Sequence, residues 1–172
     1  MEFKDKIAVV TGGASGIGKA TAGILAASGA QVLIGDINRE GGEAVADELR
    51  SGGAGAEFLP LDLTDYASIM TFAAAVLQRP GRVDVLVNGA GWGKTTPFLE
   101  SDDAFWDKVI HLNFIGPMRL TKALLQGGSE VQKKRWLPAV TSGDAILTAA
   151  LADGPAATVT AKQEGVGYRL TG

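Results

Sequence analysis

Residues Thr11-Gly12-Gly13-Ala14-Ser15-Gly16-Ile17-Gly18 carry the spacing T-G-x-x-x-G-x-G, and the next acidic side chain along the chain is Asp36. Glycines placed this way suit a tight turn that brings bare backbone against phosphate. Gly12 lets the chain leave a strand sharply, Gly16 lets backbone approach a diphosphate, and Gly18 lets the following helix pack closely on its sheet. The free N–H groups and positive dipole end of that helix favour an anion, which makes Ser15 and Ile17 candidate binding residues beside the glycines. A carboxylate about 20 residues further on, at the end of a second strand, can accept hydrogen bonds from ribose hydroxyls. Asp36 stands there, and its charge would repel a 2'-phosphate, so NAD is expected ahead of NADP; Arg39 close by moderates that preference.

These residues need a strand-turn-helix frame, and the chain supplies one repeatedly. KIAVVT (6–11) is short, β-rich and apolar on both faces, as a buried parallel strand should be. From Ser15 to about Ser28, Ile17, Ala20, Ile24 and Leu25 recur at helical spacing, with Gly29 as the stop. QVLIG (31–35), AEFLPL (56–61) and VDVLVN (83–88) read as further strands, separated by helices over about Asn38–Arg50 and Asp65–Gln78. A long helix is expected from Asp102 to about Leu125, kinked at Pro117. This alternation predicts an α/β fold with a Rossmann-type, doubly wound parallel sheet and right-handed crossovers. The texture changes near residue 126: Gly127-Gly128 interrupts the pattern, a short basic amphipathic stretch (Glu130 to Trp136) follows, and Pro138 ends it. AILTAAL (145–151), AATVTA (156–161) and GYRL (167–170) read as short strands. The expected division is a partial Rossmann unit over 1–126 and an atypical segment of short helix and strands over 127–172.

Composition agrees with a compact domain: 172 residues, 46% hydrophobic and 20% charged, can bury a core. The net charge of -3 and scattered Lys and Arg give no basic footprint, so nucleic acid is not an expected partner. With no Cys there are no disulfides, thiolate metal sites or thiol catalysis, and no metal site is expected. Nowhere do about 18 apolar residues run together, so no membrane span is expected and a cytoplasmic location is the default.

Taken in order, the strand, TGGASGIG, Asp36, Asp62-Leu63 after strand three, and Asn88-Gly89-Ala90-Gly91 after strand four resemble the short-chain dehydrogenase/reductase family over about Lys6 to Leu125. The resemblance implies that Asp62 contacts an adenine through its side chain with Leu63 beside it. It also implies that Ala90 and Gly91 let a cofactor lie against strand four, and that Asn88 ties that strand into the sheet. Gly89 stands where the family often has a second Asn, which weakens a sheet contact. Asn113, in Asn113-Phe114-Ile115-Gly116, matches the Asn with which the family holds a water in its proton relay, whereas the only His, His111, reads as structural. The implied activity is hydride transfer between a nicotinamide and a secondary alcohol or ketone, with hydroxyacyl-CoA esters among the candidate substrates and a homo-oligomer as the expected assembly.

The family's chemistry also requires a Ser, a Tyr and, one helical turn after the Tyr, a Lys that lowers the phenol pKa. The two Tyr residues fail that spacing: Tyr66 is followed by Met70 and Tyr168 by Gly172. Ser142 lies at a plausible distance after Asn113 for the Ser, yet Pro155 occupies the region where the Tyr should follow. The tail from about 127 to 172 instead resembles an acyl-CoA dehydrogenase fragment, with Ala150-Leu151-Ala152-Asp153 in place of a flavin-contacting A-L-T-E sequence. A hybrid chain follows from these likenesses, its strand-four edge open unless the tail or another subunit covers it. Besides the dehydrogenase, two alternatives stand: a dinucleotide-binding module or truncated hybrid without turnover, and an interaction fragment.

Overall fold

A computed structural model describes residues 2–79, 82–127, 160–164 and 167–171, the last two stretches as backbone. Four strands, β1 (Ile7–Thr11), β2 (Gln31–Asp36), β3 (Ala56–Pro60) and β4 (Val85–Asn88), form one parallel sheet in the order β3-β2-β1-β4. Helices α1 (Gly16–Ala27), α2 (Arg39–Ser51) and α3 (Tyr66–Gln78) make the crossovers. The expected partial Rossmann sheet is therefore present.

Each strand alternates its side chains between two cores, as a sheet covered on both faces must. Ile7 and Val9 of β1 join Leu33, Ile69, Phe72 and Leu120 on one face, while Ala8 and Val10 join Ala22, Val32, Ile34 and Val45 on the other. Residue pairing aligns the strand ends: Thr11 lies opposite both Gly35 and Asn88, and Asp36 opposite Pro60. Because β1 sits between β2 and β4, the crevice where strand order reverses opens at Thr11 and Asn88.

The buried face of α1 differs from the expected one. Gly18, Ala22, Leu25 and Ala26 are buried, whereas Ile17, Ala20 and Ile24 face outward. At the start of the helix the cause is closeness, since a Cβ on Gly18 would stand 2.1 Å from the Gly12 carbonyl oxygen; further along, Leu25, on the expected face, does pack into the core.

The expected single helix over 102–125 is three pieces: α4 (Asp103–Ile110), a π-turn (His111–Ile115) and α5 (Gly116–Gly127). Asp102 caps α4, its side chain accepting from the Phe105 N–H at 2.8 Å. Pro117, expected to kink the helix, sits in the first turn of α5, where its missing N–H removes the bond that Asn113 would otherwise accept. The Gly116 N–H donates to the His111 carbonyl five residues back, so the irregularity falls just before the proline.

Among the described residues no helix is long and apolar enough to cross a membrane. In the tail, β5 (Thr160–Glu164) and β6 (Gly167–Thr171) pair antiparallel, with Thr160 opposite Thr171. The strand expected over 167–170 falls on β6, and that over 156–161 shares only Thr160 and Ala161 with β5. The stretch 130–136, Pro138, Ser142, Pro155, the strand expected over 145–151 and the boundary residues just past 127 lie outside the described residues.

Candidate functional site

The glycine-rich turn joins β1 to α1 with two glycines in the left-handed region, Gly12 at φ +69 and Gly16 at φ +52. Their surroundings differ. A Cβ on Gly12 would meet the Ala90 backbone at 2.7 Å, so this glycine is required by packing against the segment after β4. A Cβ on Gly16 would meet nothing within 4 Å, so the first turn of α1 opens onto free space. Ser15, whose side chain makes no capping bond, and Ile17 flank that opening, and both are exposed. A helix N-terminus left open in this way can receive an anion on its unpaired N–H groups.

Asp36 points into this turn. Its Oδ2 accepts from the Ala14 N–H at 3.0 Å and its Oδ1 from the Asn38 N–H at 2.9 Å. Each carboxylate oxygen has a second lone pair, so ribose hydroxyls could still be accepted from the solvent side. Asp36, Gly16 and the α1 N-terminus therefore form one open cradle with acceptors at one end and backbone donors at the other.

On the far side of the crevice Thr11 organises the segment after β4. Its hydroxyl is fully buried, accepts from the Gly89 and Ala90 N–H groups at 3.1 Å each, and lies 3.4 Å from the Val87 carbonyl to which it donates. Sequence reasoning passed over this role; the available signal was a hydroxyl terminating an otherwise apolar strand. Gly89 fits because a Cβ there would stand 2.7 Å from the Thr11 carbonyl oxygen. Asn88 Nδ2 donates to Thr121 Oγ1 at 3.3 Å, tying β4 to α5, while its buried Oδ1 has no hydrogen-bond partner.

Asn113 lies in the π-turn and reaches the same segment. Its Oδ1 accepts from the Trp92 N–H at 2.9 Å, and its Nδ2 donates to the Trp92 and Val109 carbonyls at 2.6 and 2.9 Å. The amide thus pairs with the Trp92 backbone as a neighbouring strand would. Gly91 permits the approach, since a Cβ there would stand 2.8 Å from Asn113 Oδ1. His111 in the same turn bonds through Nδ1 to the Asp107 carbonyl at 2.8 Å, in keeping with a structural residue.

Asp62, just past β3, accepts from the Thr64 N–H and hydroxyl at 2.8 and 2.6 Å. Leu63 turns its side chain into the core, so any contact it makes with a ligand is through backbone. Gly12, Ser15, Gly16, Ile17, Gly18, Asp36, Ala90 and Gly91 are thus gathered around the crevice, Asp62 stands at its β3 end, and Ser142 lies outside the described residues.

The model of the short chain dehydrogenase family matches residues 6–133, past the change in texture at 126. The chain is 36% identical over 148 residues to the 3-oxoacyl-[acyl-carrier-protein] reductase of Escherichia coli, covering 86% of this chain and 58% of that protein. It is 38% identical over 119 residues to the D-threitol dehydrogenase of Mycolicibacterium smegmatis, covering 69% of this chain and 46% of that one. A crystal structure of a short chain dehydrogenase from Mycobacterium smegmatis aligns with a TM-score of 0.70 at 34% identity, over 73% of this chain and 53% of that one. The hydroxysteroid dehydrogenase of Escherichia coli aligns with a TM-score of 0.70 at 31% identity and the same coverage. The chain spans about half the length of the curated relatives it matches.

Proposed function

This chain belongs to the short-chain dehydrogenase family, and on that premise we propose that its residues 6–126 are the nicotinamide-dinucleotide-binding half of an oxidoreductase acting on a secondary alcohol or ketone. The observation that carries the reading is the position of Asp36, held 3.0 Å from the Ala14 N–H beside the open first turn of α1. The N–H groups of the first turn of α1, left bare at Gly16, would hold the diphosphate, and the Asp36 carboxylate would accept from the adjoining ribose hydroxyls. That carboxylate disfavours a 2'-phosphate, so NAD is the preferred form. Asp62 serves the adenine end. Ala90, fixed by the Thr11 hydroxyl, and Gly91 give the cofactor a surface with no side chain larger than a methyl to lie on. Asn113 holds the Trp92 end of that surface in place. Bound there, the nicotinamide would supply a hydride acceptor or donor; the substrate would be a small alcohol or ketone, hydroxyacyl-CoA esters included.

A second reading, dinucleotide binding without turnover, is favoured by one specific feature: neither Tyr66 nor Tyr168 has a Lys four residues on. Loss of a positioned acid/base lowers a rate by roughly 10² to 10⁴. Titrating the chain while following NADH fluorescence tests both readings. Saturable binding that Gly16→Asp abolishes supports the site, and its absence overturns it. Turnover of an alcohol or hydroxyacyl-CoA panel above the Gly16→Asp background selects the first reading, and its absence selects the second.

A further inference from the structure

Arg39 opens α2 three residues after Asp36, and its backbone position is fixed by a short chain of bonds. Asn38 N–H donates to Asp36 Oδ1 at 2.9 Å, and Asn38 Oδ1 in turn accepts from the Gly41 N–H at 3.0 Å as the helix cap. The guanidinium itself is drawn along the helix. Its Nη1 is 3.0 Å from Glu43 Oε1, and its carbon lies 5.8 Å from the centre of the Phe58 ring. Phe58 can lie there because Gly42 has no side chain; a Cβ at that position would be 2.2 Å from the ring.

We infer that Glu43, which would not touch a nucleotide itself, sets how strongly this chain discriminates against a 2'-phosphate by holding the Arg39 guanidinium. The inference rests on the dinucleotide site proposed above and goes one step beyond it. Lys19 and Arg50, the other cations of α1 and α2, are paired with Glu48 and Asp47. The charged residues next to Asp36 in sequence are Arg39, Glu40 and Glu43, and Asp62 follows Pro60, which lies opposite Asp36 across the sheet; with Arg39 paired to Glu43, the charge these described residues present is negative. A phosphate monoester, close to doubly charged at neutral pH, meets that field unfavourably. Released from Glu43, the same guanidinium is the group best suited to pair with phosphate oxygens through two parallel N–H bonds.

The hold is modest. Both side chains are more than half exposed, and Arg preceding Glu at i,i+4 is the less favourable order along a helix. A change of a few-fold in selectivity is therefore the expected size.

The test measures NADH and NADPH dissociation constants by fluorescence for the full chain, Glu43→Gln, Arg39→Gln and the double variant, with circular dichroism confirming helix content. Glu43→Gln shifts the affinity ratio toward NADPH by about two- to fivefold, while the double variant shows no such shift relative to Arg39→Gln. An unmoved ratio in Glu43→Gln, with NADH still bound, overturns the inference and leaves the site intact. The same shift persisting without Arg39 also overturns it, because bulk charge would then be the cause. If the parent chain binds neither nucleotide, the proposed function fails first and the inference with it.

Discussion

The carboxylate of Asp36 accepts from the Ala14 N–H at 3.0 Å, across 22 positions of sequence, and so ties the end of β2 to the glycine-rich turn after β1. One side chain thereby shapes the cradle and offers the acceptor that would face a ribose. Asp36→Asn replaces one acceptor oxygen with an NH2 group, leaving the Ala14 or Asn38 N–H unpaired. The expected outcome is a loss of about 1–3 kcal/mol in stability together with a tenfold or larger weakening of NADH binding. Thermal melts and NADH titration check the two effects, and a variant that binds NADH as tightly as the parent would contradict the site.

Gly16 and Gly18 separate ligand space from packing. A Cβ on Gly18 collides with the Gly12 carbonyl at 2.1 Å, whereas one on Gly16 meets nothing within 4 Å. Gly18→Ala should destabilise the fold by about 1–3 kcal/mol or more through overpacking. Gly16→Asp should lose only about 1–2 kcal/mol to its left-handed backbone, yet abolish NADH binding by placing a negative charge where the diphosphate belongs. Denaturant midpoints set beside fluorescence titrations distinguish the two.

Thr11 holds the segment after β4 through one buried hydroxyl. Thr11→Val keeps the shape and strands the Gly89 and Ala90 N–H groups, for an expected loss of about 1–3 kcal/mol. Amide hydrogen exchange at Gly89 and Ala90 should accelerate more than at β2; uniform acceleration would mean the hydroxyl has no local role.

Asp84 governs the opposite, amino-terminal end of the sheet. Burial pushes its pKa up, but the Ile7 N–H at 2.9 Å, the Arg82 guanidinium at 3.0 Å and the Lys6 ammonium outweigh that and hold it below the ordinary carboxylate value. Since the folded chain favours the ionised form, this stabilisation is complete above the unfolded pKa of about 4 and disappears as pH falls through the lower folded value. Asp84→Asn should be less stable at neutral pH and show a flatter acid limb. Melting temperatures from pH 7 down to 2 measure both, and parallel curves for the two proteins would contradict the assignment.

The alternation of apolar strands with helices was legible from local chemistry. The helices expected from about Asn38 and Asp65 do start there, with those two residues found as their caps, and the glycine spacing does mark a strand-to-helix turn. The buried face of α1 was legible only at Leu25: Ile17, Ala20 and Ile24 also satisfy helical periodicity but face outward, because the close approach of Gly18 to the Gly12 carbonyl sets which side of the helix meets the sheet. The π-turn was hidden for a related reason: Pro117 announces an irregularity, but its position depends on Gly116 packing against Leu63, where a Cβ would stand 2.4 Å from the carbonyl oxygen.

Sequence by itself determined which residues could bend the chain, leave backbone bare and carry the negative charge, because those are properties of single side chains at fixed spacing. Tertiary structure alone decided that Asp36 meets Ala14, that Thr11 gathers Gly89 and Ala90, and that Asn113 pairs with the Trp92 backbone. Those contacts arise only when parallel strands align their ends, which is a matter of register between distant segments that no local pattern specifies.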